Sequence, residues 1–374
     1  MSCPSTAPTV DRGWGDPVQG EKLVRRRIMP GAVLVAALTV PVAAPAAAVE
    51  PPPPGWQGPV CGTRTVIPLS VARDVDDSGL VVGHDQRSRA ASWDSRTGTY
   101  RWYGGIDGGL SSEISAISGG GRVAGAAQVD GPTLDPAKAV RVEGPLPLRP
   151  VDRSLRTSDQ VQDVNDANVV VGTSEIVGGQ GATEAFVWTD RRHVLATPDP
   201  SYVLVHALSV NEAGWVLGSG YRLDARGVYH YQVLVWRPDR TVTVLPPLPD
   251  GGMFVAEHID EQGGVIGHHL SPDWTNDALV TWSPTSGYTF VPSPGGDLQV
   301  IAADDRGGAV GTVIDPTTGS ALPFLYRPDT GFRRLAEPGG ALLRGVPYGM
   351  SEAGQVLLMT DQRPHLWTPT CPAG

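Results

Sequence analysis

Short apolar runs broken by polar-glycine turns recur along this chain, and the alternation itself repeats as a unit. Each copy reads apolar residue, Asn/Asp/Ser, two free positions, Gly, two or three apolar positions, Gly. The marked Asx-to-Gly turns run Asp76–Gly79, Ser118–Gly121, Asn165–Asn168, Asn211–Gly214, Asp260–Gly263, Asp304–Gly307 and Ser351–Gly354. The closing position falls at Gly83, Gly125, Gly172, Gly218, Gly267, Gly311 and Leu358, at intervals of 42, 47, 46, 49, 44 and 47 residues. A period of this size marks a repeat architecture rather than a conventional enzyme domain.

One copy predicts four short strands. Val71–Val75 alternates, Asp76–Gly79 has hairpin chemistry, and Leu80–Gly83 is apolar. A third strand ends at Trp93, and the turn Asp94–Gly98 leads into Tyr100–Trp102. Later third strands end in Val142, Trp188, Trp236, Trp282, Tyr326 and Trp367, the repeated aromatic being read as a plug between neighbouring units. Four strands in each of seven units predict an all-β fold, a seven-bladed β-propeller. The seventh unit supplies only three strands, Val346–Met350, Gln355–Met359 and Pro364–Trp367. The segment Thr63–Leu69 is expected to add the fourth and close the ring, covering an open sheet edge. Six blades and an irregular cap is the alternative if the second copy, with Val142 in place of Trp, forms no blade.

The N-terminus changes the domain picture. Arg25-Arg26-Arg27, the apolar Ile28–Ala43 and Ala46-Ala47-Ala48 read as a secretory signal over residues 1–48, with a true start near Val24. The arginine run also loosely fits a twin-arginine signal. Residues 49–60 read as a proline-rich linker and 61–374 as the propeller. No second stretch reaches the ~20 apolar residues of a membrane span. Removing residues 1–48 takes away Arg12, Lys22, Arg25, Arg26 and Arg27 against Asp11, Asp16 and Glu21, so the formal net charge moves from −10 to −12. That balance repels phosphate backbones and argues against a nucleic-acid partner. Cys3 leaves with the signal. Cys61 precedes the orphan strand and Cys371 follows Trp367 where other units place a turn, so a Cys61–Cys371 disulfide is expected in an exported chain.

At Asn165…Gly172 with Ala185-Phe186-Val187-Trp188, and at Asn211…Gly218 with Val233-Leu234-Val235-Trp236, the chain resembles the HAF-repeat extracellular proteins. Leading glycine pairs at Gly108-Gly109, Gly251-Gly252, Gly295-Gly296 and Gly339-Gly340 belong to the same pattern. The resemblance spans essentially all of the mature chain and implies an exported propeller-like protein without an assigned activity.

Strand parity puts the second-to-third loops on the face opposite the Asx turns. The gap from the closing Gly to the aromatic varies there from 9 to 18 residues. Variable loops on a rigid scaffold are where binding residues concentrate. The richest, 219–231 and 268–277, nominate Tyr229, Tyr231, His268, His269, Asp273 and Trp274 as ligand-binding residues, the aromatics suiting a sugar ring. Acidic pairs at the Asx turns are read as turn geometry rather than calcium ligands, and no metal or cofactor is expected. No G-x-S-x-G, H-E-x-x-H, P-loop or C-x-x-C motif occurs. The expected function is therefore a secreted, monomeric binding or scaffold module for a glycan or a protein. A carbohydrate-active hydrolase or lyase, with Asp273 or Asp277 set against Asp224, is one alternative. A structural envelope component is the other.

Overall fold

A computed structural model describes residues 55–105, 111–128, 137–142, 149–150, 157–176 and 182–370. The signal segment and Cys371 lie outside these residues. The described residues are all-β and contain no helix.

Apart from one N-terminal strand, the strands group in chain order into fours, with a final three. The first sheet holds β2 (Val71–Val75), β3 (Leu80–His84), β4 (Ala90–Asp94) and β5 (Tyr100–Gly104). The second holds β6 (Ser112–Ile117), β7 (Val123–Gln128), β8 (Ala137–Arg141) and β9 (Arg149–Pro150). The third holds β10 (Thr157–Val164), β11 (Val170–Ile176), β12 (Thr183–Trp188) and β13 (Arg192–Val194). The fourth holds β14 (Tyr202–Val210), β15 (Val216–Leu223), β16 (Tyr229–Trp236) and β17 (Val242–Val244). The fifth holds β18 (Met253–Ile259), β19 (Val265–Leu270), β20 (Ala278–Ser283) and β21 (Gly287–Pro292). The sixth group is β22 (Leu298–Ala303), β23 (Ala309–Ile314), β24 (Ala321–Arg327) and β25 (Gly331–Ala336). The last is β26 (Val346–Met350), β27 (Val356–Thr360) and β28 (Arg363–Pro369). The second copy thus forms a four-stranded sheet despite Val142, whose place beside Ile117, Val123 and Val140 is part of a packed cluster.

The N-terminal strand, β1 (Trp56–Val66), joins the last two groups into one eight-stranded sheet. Its second half pairs antiparallel with β28, from Gly62↔Pro369 to Val66↔His365, and so completes the unfinished seventh repeat. Its first half pairs parallel with β25, from Trp56↔Phe332 to Cys61↔Ala336. Residues 56–60 therefore belong to the sheet and not to the linker expected over 49–60. Trp56 explains the difference: its buried indole joins Tyr326, Phe332 and Phe324 in one apolar cluster, which outweighs the proline-rich composition just before it.

Two backbone devices account for the repeated glycines. In every repeat the Asx or Ser side chain accepts the amide N–H four residues on, from Asp76 with Leu80 at 2.8 Å to Ser351 with Gln355 at 3.3 Å. The next marked position then turns with positive φ, as at Gly214 (+81°) and at Asn168 (+62°), which replaces glycine in the third copy. The closing glycine answers a β-bulge. Each first strand carries one extra residue at the same place, between Ala72 and Asp74 in the first and between Pro347 and Gly349 in the last. A Cβ on Gly83, Gly125, Gly172, Gly218, Gly267 or Gly311 would overlap a carbonyl oxygen of that first strand. Leu358 stands opposite Pro347 in the seventh, fully buried among Val310, Leu325 and Trp367.

The core is distributed. Each of seven apolar clusters among the described residues joins one group of strands to the next, and one joins Leu357 and Leu366 of the last group to Val75, Val81 and Trp93 of the first. The repeated indoles sit in or against these clusters. Trp236 and Trp367 are fully buried, and their Nε1 groups donate to Ala196 O (2.7 Å) and Ala336 O (3.1 Å). Burial and hydrogen bonding are thus both satisfied by one side chain. The first strands also touch in sequence, β2 with β6 and onward to β22 with β26, and β26 with β2.

Candidate functional site

The Asx turns of neighbouring sheets are bonded to one another, which places them on one face. Asn165 Nδ2 donates to Asn211 O (2.9 Å), and Asn211 Nδ2 donates to Asp260 O (2.8 Å). The second-to-third hairpins therefore share the opposite face, as strand parity requires.

On that opposite face the nominated residues divide. His268 and His269 are buried side chains of β19, not loop residues as expected. The reason is that β19 lies between two sheets, so both of its faces are covered and consecutive side chains are hidden. Burial pushes the His268 imidazole down to about 4. His269 Nδ1 is hydrogen-bonded to Asp277 Oδ1 (2.6 Å), while Asp250 Oδ2 lies 2.9 Å from its Nε2 without the alignment of a hydrogen bond.

Tyr229 and Tyr231 also belong to a strand, β16, in the segment read as loop. Tyr231 pairs with Tyr221 and Tyr229 with Leu223 across the hairpin, leaving Asp224–Val228 as its turn. Tyr221 packs edge-on against both Tyr229 (6.4 Å) and Tyr231 (5.6 Å). Burial raises the Tyr231 hydroxyl well above its ordinary range, whereas Tyr229 is 59% exposed at the end of the row.

Asp273 and Trp274 lie in a true turn, as expected. Ser271 Oγ donates to Asp273 Oδ1, Thr275 Oγ1 donates to the same oxygen (3.1 Å), and Trp274 N donates to Ser271 O (2.9 Å). Those bonds hold the Asp273 carboxyl below the usual carboxylate range. Trp274 at the tip is 62% exposed, with φ at +67°. A bulky residue in the left-handed region is an outlier that its surroundings must enforce. The carboxylates weighed for glycoside chemistry are all engaged. Asp224 is held low by the amide of Val228 and by His230, and Asp277 is bound to His269. Asp224 and Asp273 are thereby suited to staying ionised, not to the protonated role of a general acid.

The Asx-turn face carries a constellation that the sequence reading passed over. The residue after the Asx position is acidic in six repeats: Asp77, Asp166, Glu212, Glu261, Asp305 and Glu352. Several reach across to the turn of a neighbouring repeat. Asp166 N donates to Glu212 (2.9 Å), Glu212 N to Glu261 (2.7 Å), Asp305 N to Glu352 (2.9 Å), and Ala353 N to Asp77 (2.7 Å). Behind this row stand the residues two before the Asx position, among them Asp74, Asp163, Ser209 and His258. Asp74 Oδ2 accepts from Ile117 N (2.9 Å), and Asp163 Oδ2 from Val210 N (2.8 Å), again bridging sheets. Burial raises both carboxyls, Asp74 to about 7.

His258, Asp305 and Glu352 come together here from three consecutive repeats, their ligand atoms all within 4.8 Å of one another. His258 Nε2 lies 3.1 Å from Asp305 Oδ1, and its Nδ1 lies 3.4 Å from Ser209 Oγ. Burial alone would lower the His258 imidazole, but its bond to Asp305 and the surrounding carboxylates hold it above the usual value. Burial raises Glu352 to about 7. The acidic residue at a fixed offset in six repeats was the signal available in the sequence. Its attribution to turn geometry holds for the first residue of each pair and not for the second.

No family model matches the chain, and no curated protein matches it in sequence. Among solved structures it is similar to virginiamycin B lyase from Staphylococcus aureus, at TM-score 0.50 and 10% identity over 82% of this chain and 99% of that one. A streptogramin B lyase gives 0.49 and 10% over 83% and 97%. YCF48 bound to D1 peptide gives 0.48 and 9% over 88% and 100%. At these identities the likeness concerns the fold alone, and the neighbours are propeller-like.

Proposed function

We propose that this chain is an exported seven-bladed β-propeller, closed through β1, that works as a binding module for a glycan or a protein. Seven blades and closure are supported by the run of first-strand contacts that returns from β26 to β2, and by the apolar cluster shared by the last and first groups. The HAF-repeat resemblance supports export. The face assigned to the ligand is that of the second-to-third hairpins.

The observation that carries the binding reading is Trp274. An indole largely in solvent, at positive φ, on a turn pinned by Ser271, Asp273 and Thr275, costs free energy that packing does not return. Tyr229 presents a second exposed ring on the same face of the neighbouring sheet. Flat apolar rings flanked by hydrogen-bonding groups suit a ligand with an apolar face and a polar rim.

The test is co-sedimentation of the mature chain with insoluble polysaccharides and bacterial cell walls. Saturable retention that falls at least tenfold in Trp274→Ala is the expected outcome. Retention unchanged by Trp274→Ala and by Tyr229→Ala would remove this face from the reading. With no retention on any material, the protein-ligand form is tested by a pull-down from culture supernatant, with Trp274→Ala as the control.

A further inference from the structure

We propose that His258, Asp305 and Glu352 form a binding site for a divalent transition-metal cation on the Asx-turn face, away from the hairpins assigned to ligand binding. Three features of the geometry support it. The donors come from three successive repeats and converge within 4.8 Å, so the site is made by the assembled fold and not by one flexible loop. The His258–Asp305 pair is at 3.1 Å, the separation of two donors sharing an ion at about 2.0–2.2 Å from each. Full closure then asks for a shift on the order of an ångström.

The third feature is the partner of His258 Nδ1. Ser209 Oγ stands 3.4 Å from it, placed to accept the Nδ1 proton. With an ion bound and the Nδ1 proton on the Ser209 side, the Nε2 lone pair would face the ion in place of its bond to Asp305, the outer arrangement that fixes metal-ligating imidazoles. The site carries two carboxylates, with Asp163 close to His258 and with Asp304, close to Glu352, already paired with Arg327, so a doubly charged ion offsets the charge of Asp305 and Glu352. One nitrogen and two carboxylate oxygens suit zinc or manganese and disfavour calcium and magnesium, which prefer all-oxygen sets. With three protein donors, coordination positions remain for water or an incoming anion.

The competing account of the same atoms is a metal-free His258–Asp305 ion pair, and the two differ in a measurable way. The full-length chain is stripped with EDTA and titrated with Zn²⁺ and Mn²⁺ by calorimetry. Co²⁺ absorption then reports whether the donors are nitrogen and oxygen or thiolate. We expect one site per chain, micromolar or tighter for Zn²⁺, a Co²⁺ spectrum without thiolate charge transfer, and a Tm that rises on loading. His258→Ala and Asp305→Asn should each weaken binding at least tenfold, whereas His230→Ala should leave it unchanged. Glu352→Gln, nearly isosteric, carries the test if His258→Ala fails to fold. Absence of saturable binding, thiolate coordination, or equal affinity in His258→Ala and Glu352→Gln would each overturn the site and leave the ion pair.

Discussion

At Asp74 a single carboxyl carries a legible cost. Its oxygens accept the amides of Val75 (2.8 Å) and Ile117 (2.9 Å), yet burial, with Asp163 and Asp76 close by, raises it from 3.8 to about 7. The folded form therefore binds a proton more tightly than the unfolded chain between those values. Stability from this group is fullest near pH 4 and declines as pH climbs to 7. Asp74→Ala loses two hydrogen bonds, so its Tm deficit is expected to be largest near pH 4 and to shrink by pH 8. A deficit that grows with pH in thermal melts would contradict this. At Gly218 the cost is steric, because a Cβ would overlap His206 O and crowd the Trp236 ring. Gly218→Ala should destabilise by about 1–3 kcal/mol, measured by urea unfolding, with the loss carried by the bulge and not by conformational entropy. Gly227→Ala serves as the comparison, since no neighbouring atom stands near its missing Cβ and only its positive φ (+78°) opposes the change.

At the scale of the element, turns were readable in the sequence and strand partners were not. An Asx or Ser side chain followed by Gly or Asn specifies its own hairpin through contacts within five residues, so all seven first turns fell where the pattern put them. The antiparallel half of β1 was legible too, because an incomplete seventh repeat calls for a fourth strand. Its parallel half was not, since pairing with β25 is set by where the Trp56 indole can be buried. The hairpins of β15–β16 and β19–β20 were read as loops because Tyr, His and Arg interrupt their apolar runs. Strands covered on both faces accept such residues when partners such as Asp277 and Asp250 stand across from them. The candidate metal donors stayed hidden for another reason: Asp305 and Glu352 share one offset in their repeats, but His258 stands two residues before the Asx position of a third, so no local motif joins all three. The β1–β28 pairing also bears on the cysteines. Thr370 N donates to Cys61 O at 3.1 Å, and Cys371 follows Thr370 in sequence. We expect thiol titration of the denatured, unreduced mature protein to find no free thiol. Cys61→Ser should then lower stability by up to about 5 kcal/mol, the upper figure for so long a loop.

Across the whole molecule, the order of assembly follows from β1. Most pairings in this fold join neighbours in sequence, but β1 is held between β25 and β28, with Arg333 donating to the carbonyls of Gly58 and Pro59 from 275 and 274 residues away. Contacts of that separation form last, since the entropy of closing so long a loop precedes any reward. During vectorial synthesis β1 emerges first and has no partner until β25 and β28 follow it. The intermediate sheets can mature one after another while the seam stays open. Withholding β1 would leave β25 and β28 each without the partner that joins the last two groups into one sheet.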